Sequence, residues 1–267
     1  MSADIQPTTK KTTRTLLRGL RVLEELATAG EPLGVTEIAL RTDLDKATVT
    51  RLVATLCEAG YAVQPFGDRR YQIASKILTL SGGFTLGSEL RTLARPHLEA
   101  LRTATDETIH LGCLEGDRLV YVDKLETTRS VRLVSAVGQT MPLHSTGVGK
   151  ALLAGLTPEQ RAELVPRLPL EARQPTTIRT QEALMIELDE IESRGFSIDN
   201  CENEENVVCV GAPVFSQGRV VAAISVSAPK FRMTDHIDAY GELCSETARA
   251  ISRDADGREF SPRAFPA

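Results

Sequence analysis

The chain has 267 residues, 42% of them hydrophobic and 25% charged, which suits one large globular domain or two ordinary ones. No apolar run reaches the length of a membrane span, and the polar start MSADIQPTTKKTTR lacks the apolar segment of a secretory signal. The five scattered cysteines form no C-x-x-C motif, so we expect free thiols and a cytoplasmic location.

The formal net charge of −5 is unevenly distributed along the chain. Residues 1–76 hold 11 Lys and Arg against 9 Asp and Glu, a net charge of +2, and the remainder holds 20 against 27, a net charge of −7. A mildly basic first quarter on an acidic body fits a nucleic-acid module joined to a second domain.

Two helices are predicted near the N-terminus. Residues 14–29 carry leucines at helical spacing, and Gly30 follows as a stop signal. A second, shorter helix, VTEIALRT, covers residues 35–42, and a turn at residues 43–44 leads into a third helix.

The third helix, DKATVTRLVATLCEAG, lies between a capping Asp45 and a terminating Gly60. Its apolar stripe is formed by Val49, Leu52, Val53 and Leu56, at i, i+3, i+4 and i+7. The opposite face carries short hydroxyls and cations, namely Lys46, Thr48, Thr50, Arg51 and Thr55. Such a face suits a helix in the DNA major groove; on its own it also suits an ordinary amphipathic surface helix.

A β-hairpin is predicted immediately after this helix. Tyr61 and Val63 alternate before a turn at residues 65–68, and Tyr71 and Ile73 alternate after it. The tip holds Arg69 and Arg70, and together with the preceding helices it predicts a winged helix-turn-helix domain over residues 1–75. The residues expected to contact DNA are Arg14, Arg18, Lys46, Thr48, Thr50, Arg51, Arg69 and Arg70.

Residues 76–90 predict a linker helix that bends or ends near Gly82, Gly83 and Gly87, because glycine costs about 1 kcal/mol in a helix interior. An exposed apolar face on this helix would pair two chains, and the alternative is a single buried connector. Residues 91–255 then mix helices with strands, including VRLVSA at 131–136, and predict an α+β effector-binding domain.

Five motifs in order resemble the IclR-type bacterial transcriptional regulators. They are LRGLRVLEELA, KATVTRLVATLCEAGY, MPLHSTGVGKALLA, RGFSIDNCENEENVVCVGAPVF and AAISVSAP, and the resemblance covers nearly the whole chain. It implies an N-terminal winged helix-turn-helix, a dimerising linker helix and a C-terminal GAF-like α/β domain that binds a small molecule. It also implies a homodimer or a dimer of dimers.

The resemblance further implies an effector pocket. Its matching positions in this chain are Leu133, Met141, Gly147, Val148, Asp199, Val207, Cys209, Ser225 and Ser227. Backbone amides at a helix N-terminus, together with two serines spaced two apart on a strand, suit a small organic acid. The chain departs from the family pattern at Asn200 and Cys201, where an acidic pair is usual.

Several residues are weighed against other kinds of site. Lys150 is expected to be a solvated helix residue, the acidic run 202–205 a solvated loop or a gate over the pocket, and His144 a structural residue rather than a catalytic base. The histidines and cysteines lack metal-ligand spacing, so we expect no metal site, no cofactor and no catalytic residues.

These observations favour a ligand-responsive DNA-binding regulator that represses a catabolic operon through a pseudo-palindromic operator, with no contact to a membrane. A transcriptional activator of the same architecture is the first alternative. A small-molecule enzyme whose N-terminal helices serve only for assembly is the second, and the lack of a nucleophile–base pair weighs against it.

Overall fold

The computed structural model of the protein describes residues 12–65, 68–81 and 88–258. The chain divides into two compact units, Met1–Phe84 and Thr85–Ala267. No helix within the described ranges is long and apolar enough to cross a membrane, and all five cysteines are free thiols.

The first unit consists of helices with a small antiparallel sheet. In chain order it contains α1 (Arg14–Thr28), β1 (Leu33–Gly34), α2 (Val35–Thr42), α3 (Lys46–Glu58), β2 (Ala62–Val63), β3 (Arg70–Ile73) and α4 (Lys76–Ser81). The strands are ordered β1-β3-β2, so the hairpin that follows α3 gains a third strand from the residues before α2. This arrangement confirms the predicted winged helix-turn-helix.

The apolar stripe of α3 forms part of the core of this unit. Val49, Leu52 and Val53 are buried against Val22 and Ile38. Asp45 caps α3, since the Thr48 backbone N–H donates to its Oδ1 (2.8 Å) and the Thr48 hydroxyl to its Oδ2 (2.7 Å). Both hydrogen bonds lower the pKa of Asp45, and the bond from the Thr48 hydroxyl has the larger effect.

The second unit is built on one sheet. Its elements are α5 (Ser88–Thr105), β4 (Thr108–Glu115), β5 (Arg118–Leu125), β6 (Thr140–Met141), α6 (Gly147–Ala154), α7 (Pro158–Leu164), a 3-10 turn (Val165–Arg167), α8 (Gln181–Arg194), β7 (Ser197–Asn200), β8 (Val207–Ser216), β9 (Arg219–Pro229), α9 (Lys230–Met233), a 3-10 turn (Thr234–His236) and α10 (Ile237–Ala255).

The sheet has the order β6-β5-β4-β9-β8-β7, and neighbouring strands are antiparallel. One face packs against α5 and α10, and its core includes Ile109, Val210 and Ile224. The other face packs against α6 and α8. The resulting helix–sheet–helix layering leaves α6 enclosed, with all eight of its residues buried.

The strand predicted for VRLVSA, residues 131–136, is wrong. Lys124 Nζ donates to the carbonyls of Leu133 (3.2 Å) and Ser135 (2.9 Å), and Arg232 donates to that of Val131 (3.2 Å). Side-chain cations therefore take up carbonyls that a strand ladder would use. The edge strand is instead β6, which pairs with β5.

The last helix, α10, begins at Ile237, after the short α9 and a 3-10 turn. Helix α5 contains Pro96 and continues through it. The predicted break at Gly82, Gly83 and Gly87 lies outside the described residues, as do residues 66 and 67 of the hairpin turn.

Candidate functional site

The exposed face of α3 is small, polar and basic. Lys46, Thr50 and Arg51 are exposed, and Thr48 is partly buried. Two exposed alanines, Ala47 and Ala54, lie among them and were absent from the predicted set. Because α3 is the polar-faced second helix of a helix-turn-helix, this is the surface that can enter a DNA major groove.

The threonine hydroxyls on α3 already have intramolecular partners. Thr50 Oγ1 donates to Lys46 O (2.7 Å), and Thr48 Oγ1 donates to Asp45. Each oxygen can still accept a hydrogen bond, and each methyl group can contact a thymine methyl. In this conformation the threonine hydroxyls can therefore accept hydrogen bonds from base amino groups, whereas their protons are already donated within the protein.

The two hairpin arginines have different environments. Arg69 is exposed. Arg70 lies in β3, where its Nε donates to Pro32 O (2.7 Å) and its Nη2 to Glu37 Oε1 (3.1 Å). Arg70 is thus bound within its own unit at the start of β3, and its predicted contact with DNA stays a prediction.

The first helix supplies the remaining predicted cations. Arg14 and Arg18 are exposed on α1. Together with Leu17, Leu20, Arg21 and Glu24 they line an open groove. Both arginines are thus accessible, at a surface that is apolar as well as basic.

In the second unit, three predicted residues form one row across the sheet. Asp199 on β7 pairs with Cys209 on β8, which pairs with Ser227 on β9. Ser225 lies two residues along the same strand, and its Oγ is 3.2 Å from that of Ser227. Because residues paired across strands share a face, these side chains lie on the sheet face that α6 covers.

The N-terminus of α6 lies directly on this row. Ser197 Oγ donates to Gly147 O (2.6 Å). A methyl group at position 147 would come within 3.1 Å of Cys209 Cβ, and one at Gly211 within 2.7 Å of Gly147 O. The glycines therefore allow the helix end to approach the strand closely.

The helix end has unused donors. Thr146 caps α6 by accepting from the Gly149 N–H (3.1 Å). Across the three described ranges, no hydrogen bond involves the N–H groups of Gly147 or Val148. Two backbone donors and the positive end of the helix dipole can therefore bind an anion beside the serine pair.

Asp199 is the acidic member of the row and is only 2% exposed. Burial raises its pKa from 3.8 to about 7, against the opposing effect of backbone hydrogen bonds from Glu202 (2.8 Å) and Asn203 (3.4 Å) to its Oδ1. Near neutral pH this side chain exists in both protonation states, so it can accept or donate a hydrogen bond.

Burial, followed by the charge of Asp199, raises the pKa of the Cys209 thiol well above its usual range. The thiol therefore stays protonated, and a protonated thiol is a poor nucleophile.

His110 and Tyr121 belong to this face but were not predicted as binding residues. Their rings stack with centroids 4.4 Å apart. His110 Nδ1 is 3.5 Å from Ser225 Oγ and 3.4 Å from Ser227 Oγ, and its Nε2 is 2.8 Å from Ser135 Oγ. Burial and the Lys124 charge lower the pKa of His110 to about 3, so the imidazole is neutral. The sequence offered one signal for a role of His110 in this site, namely its position in the strand β4.

The expectation that Lys150 is solvated is wrong, as is the expectation of a solvated loop at Glu202. Lys150 is 1% exposed, and its Nζ lies 2.6 Å from Glu202 Oε1 and 3.1 Å from Glu187 Oε1. Glu202, which follows β7, is 6% exposed. The ion pair gives each buried charge a partner, which explains why a lysine tolerates this position.

The apolar residues expected to line the pocket are less concentrated than the polar ones. Val207 is buried, while Met141 on β6 and Leu133 are partly buried. Leu133 does not lie on a strand, because its segment is held through carbonyl contacts to Lys124. The structure therefore groups the polar residues and leaves Leu133 in an irregular segment.

His144 has a structural partner. It is 2% exposed, its Nε2 lies 3.1 Å from Glu171 O, and burial lowers its pKa. Among the residues that the structure describes, no three His, Cys, Asp or Glu side chains are grouped closely enough to hold a metal ion.

Comparison with known proteins identifies both units. The IclR helix-turn-helix domain matches residues 15–65, and the C-terminal domain of the bacterial transcriptional regulator IclR matches residues 85–253. The chain belongs to the IclR family. It is therefore a DNA-binding transcriptional regulator with the C-terminal domain of that family.

Two relatives within the IclR family align over most of the chain. The HTH-type transcriptional regulator KdgR of Dickeya chrysanthemi is 33% identical over 237 residues, covering 87% of this chain and 78% of the relative. The HTH-type transcriptional repressor AllR of Escherichia coli K12 is 29% identical over 249 residues, covering 92% of each chain.

Solved structures of the IclR family share the fold. The Thermotoga maritima IclR aligns with a TM-score of 0.76 at 30% identity, covering 90% of this chain and 98% of that one. An IclR homologue from Microbacterium hydrocarbonoxydans, solved with 4-hydroxybenzoate, aligns with a TM-score of 0.73 at 25% identity and the same coverage.

Proposed function

We propose that this IclR-family chain is a cytoplasmic repressor whose second unit binds a small organic acid, and that binding changes its affinity for an operator. The supporting observation is the polar row formed by Asp199, Cys209 and Ser227 beneath the N-terminus of α6. Free backbone amides beside serine hydroxyls bind a carboxylate well, since both donate to its oxygens.

Within this proposal, the carboxylate lies at Gly147 and Val148 and receives hydrogen bonds from Ser225 and Ser227. Asp199 contacts a second polar group of the same ligand, in the protonation state that the group requires. The apolar lining is assigned to Leu133, Met141 and Val207, and Cys209 to the floor of the site. The complex of a relative with 4-hydroxybenzoate supports the choice of an organic acid.

On the DNA side, we assign major-groove contacts to Lys46, Thr48, Thr50 and Arg51, and phosphate contacts to Arg14, Arg18 and Arg69. The domain boundaries proposed with these roles are 1–75, 76–90 and 91–255. Two chains would pair, as a homodimer or a dimer of dimers, on a pseudo-palindromic operator. Exposed leucines on α1, such as Leu16 (62%) and Leu17 (48%), support pairing because exposed apolar patches mark interaction surfaces.

A thermal-shift screen tests the effector half of this proposal. Small aliphatic and aromatic carboxylates, 4-hydroxybenzoate included, would be compared with neutral sugars. A ligand at 100 times its Kd should stabilise the protein by about 2.7 kcal/mol. Stabilisation by sugars and by no acid would contradict the proposed chemistry of the site.

Arg51→Ala tests the DNA half. Arg51 is exposed on α3, so its loss should weaken DNA binding and leave the thermal shift by the acid unchanged. Loss of both properties would instead identify Arg51 as a residue needed for folding.

A further inference from the structure

The two adjacent arginines of the wing, the β2–β3 hairpin, differ in what they can offer to DNA. Arg69 makes no hydrogen bond or ion pair with any described residue. Arg70 donates from its Nε to Pro32 O (2.7 Å) and from its Nη2 to the two oxygens of the Glu37 carboxylate (3.0 and 3.1 Å). Its guanidinium is thus bound within its own unit, although the side chain is 38% exposed.

Glu37 connects this arginine to the helix-turn-helix. Its Oε2 accepts from the Gly34 N–H (2.7 Å), the residue immediately before α2. That backbone bond is the largest cause of the lowered pKa of Glu37, and Arg70 also contributes. One carboxylate therefore caps the N-terminus of α2 and holds the guanidinium of the wing.

The backbone supports the same junction. Gly34 pairs with Arg70 and Leu33 with Tyr71, so β1 joins β3, the second strand of the wing, to the start of α2. The strand pairing is only two residues long. Side-chain contacts add to this short pairing: Tyr71 packs against the core of the unit, and Arg70 supplies three polar contacts.

We propose that Arg70 and Glu37 are positioning residues, which hold the wing against α2 at the angle needed to contact a duplex, and that Arg69 alone supplies the DNA-contacting charge of this pair. The inference rests on DNA binding by the helix-turn-helix unit. In such units the helix before the recognition helix crosses the DNA backbone, so a wing fixed to the start of α2 is fixed relative to the DNA.

The effect of removing the negative charge of Glu37 distinguishes a positioning role from a purely electrostatic one. Removal of an acidic residue from a DNA-binding surface should tighten binding by electrostatics alone, because less negative charge faces the phosphates. If Glu37 positions the wing, its truncation should weaken binding instead. Glu37→Gln removes the same charge but keeps an oxygen that can accept from Gly34 N–H and from Arg70.

The experiment uses the full chain and a labelled duplex from the DNA upstream of its own gene, with a shuffled duplex for comparison. Fluorescence anisotropy at several salt concentrations gives Kd and its salt dependence for wild type, R69A, R70A, R70K, E37A and E37Q. Circular dichroism and thermal unfolding verify that each variant is folded. The adjacent arginine, Arg69, provides the matched control for Arg70.

We expect R69A to reduce the slope of log K against log salt by about 0.9, the loss of one phosphate contact. R70A, R70K and E37A should each weaken binding about three- to tenfold with an unchanged slope, which is the size expected for a surface ion pair and its hydrogen bonds. Lysine fails in this role because it lacks the planar fork of arginine. E37Q should bind as tightly as wild type or more tightly.

Three results would overturn the inference: a slope change in R70A equal to that in R69A, wild-type binding by R70K, or tighter binding by E37A. If R70A does not fold, R70K and the two Glu37 variants still decide the question. Absence of salt-dependent binding by the wild type to either duplex would contradict the DNA-binding function itself, a different failure.

Discussion

Replacement of Asp199 by asparagine tests whether this buried carboxyl is held in its protonated form. Burial raises the pKa of Asp199 from 3.8 to about 7, so the folded state keeps its proton over a pH range in which the unfolded chain has lost it. Each pKa unit corresponds to about 1.4 kcal/mol. The wild type therefore loses about 4 kcal/mol of stability as the pH rises from about 4 to above 7.

The side-chain amide of the D199N variant carries no titrating proton, and its oxygen can still accept from the Glu202 and Asn203 backbone amides. The stability of D199N relative to the wild type should therefore increase with pH. The expected increase between pH 5 and 8 is about 3 kcal/mol in the free energy of unfolding, or roughly 10 °C in Tm. Scanning fluorimetry across this range measures the difference. Glu204→Gln removes an exposed acid from the same turn and is the charge-matched control, because that carboxylate lacks burial. A difference between D199N and wild type that does not vary with pH would refute the raised pKa.

Three further predictions follow from the same sheet face. Lys150→Met should destabilise the protein by about 3–5 kcal/mol in urea unfolding, because Glu202 is left buried without a partner. The double variant K150M/E202Q should recover part of this loss, and equal stability of the single and double variants would contradict the role of the ion pair. Ser225→Ala with Ser227→Ala should abolish the thermal shift by the acid while DNA binding persists, and an unchanged shift would place the ligand elsewhere. Gly211→Ala should cost about 1–3 kcal/mol by overpacking, since its methyl would meet Gly147 O at 2.7 Å; wild-type stability would show that α6 can move.

Local signals predicted the helical elements of the first unit closely. The caps and stops at Asp45 and Gly60 bound α3, and VTEIALRT forms α2 over the expected eight residues. These signals act through neighbouring residues, so a single sequence carries them. The row formed by Asp199, Cys209 and Ser227 was predicted only through the family resemblance, because it depends on strand pairing between distant segments.

The sequence predictions failed where charged side chains contact residues that are distant in the sequence. Lys150 was expected in solvent because its partner Glu202 lies 52 residues away. The contact of Arg70 with Glu37 was missed because the two residues lie 33 residues apart and give no local sign of it. VRLVSA has the alternation of a strand, but its carbonyls bind Lys124 and Arg232 instead. In each case a long-range electrostatic contact outweighed a local pattern.

The most direct test of the central claim is a titration of the upstream duplex with the full chain, with and without a saturating organic acid identified by thermal shift. We predict that the acid lowers DNA affinity, and that saturating DNA lowers affinity for the acid by the same factor, as linkage requires. An acid that binds and stabilises the protein while leaving DNA affinity unchanged would contradict the account.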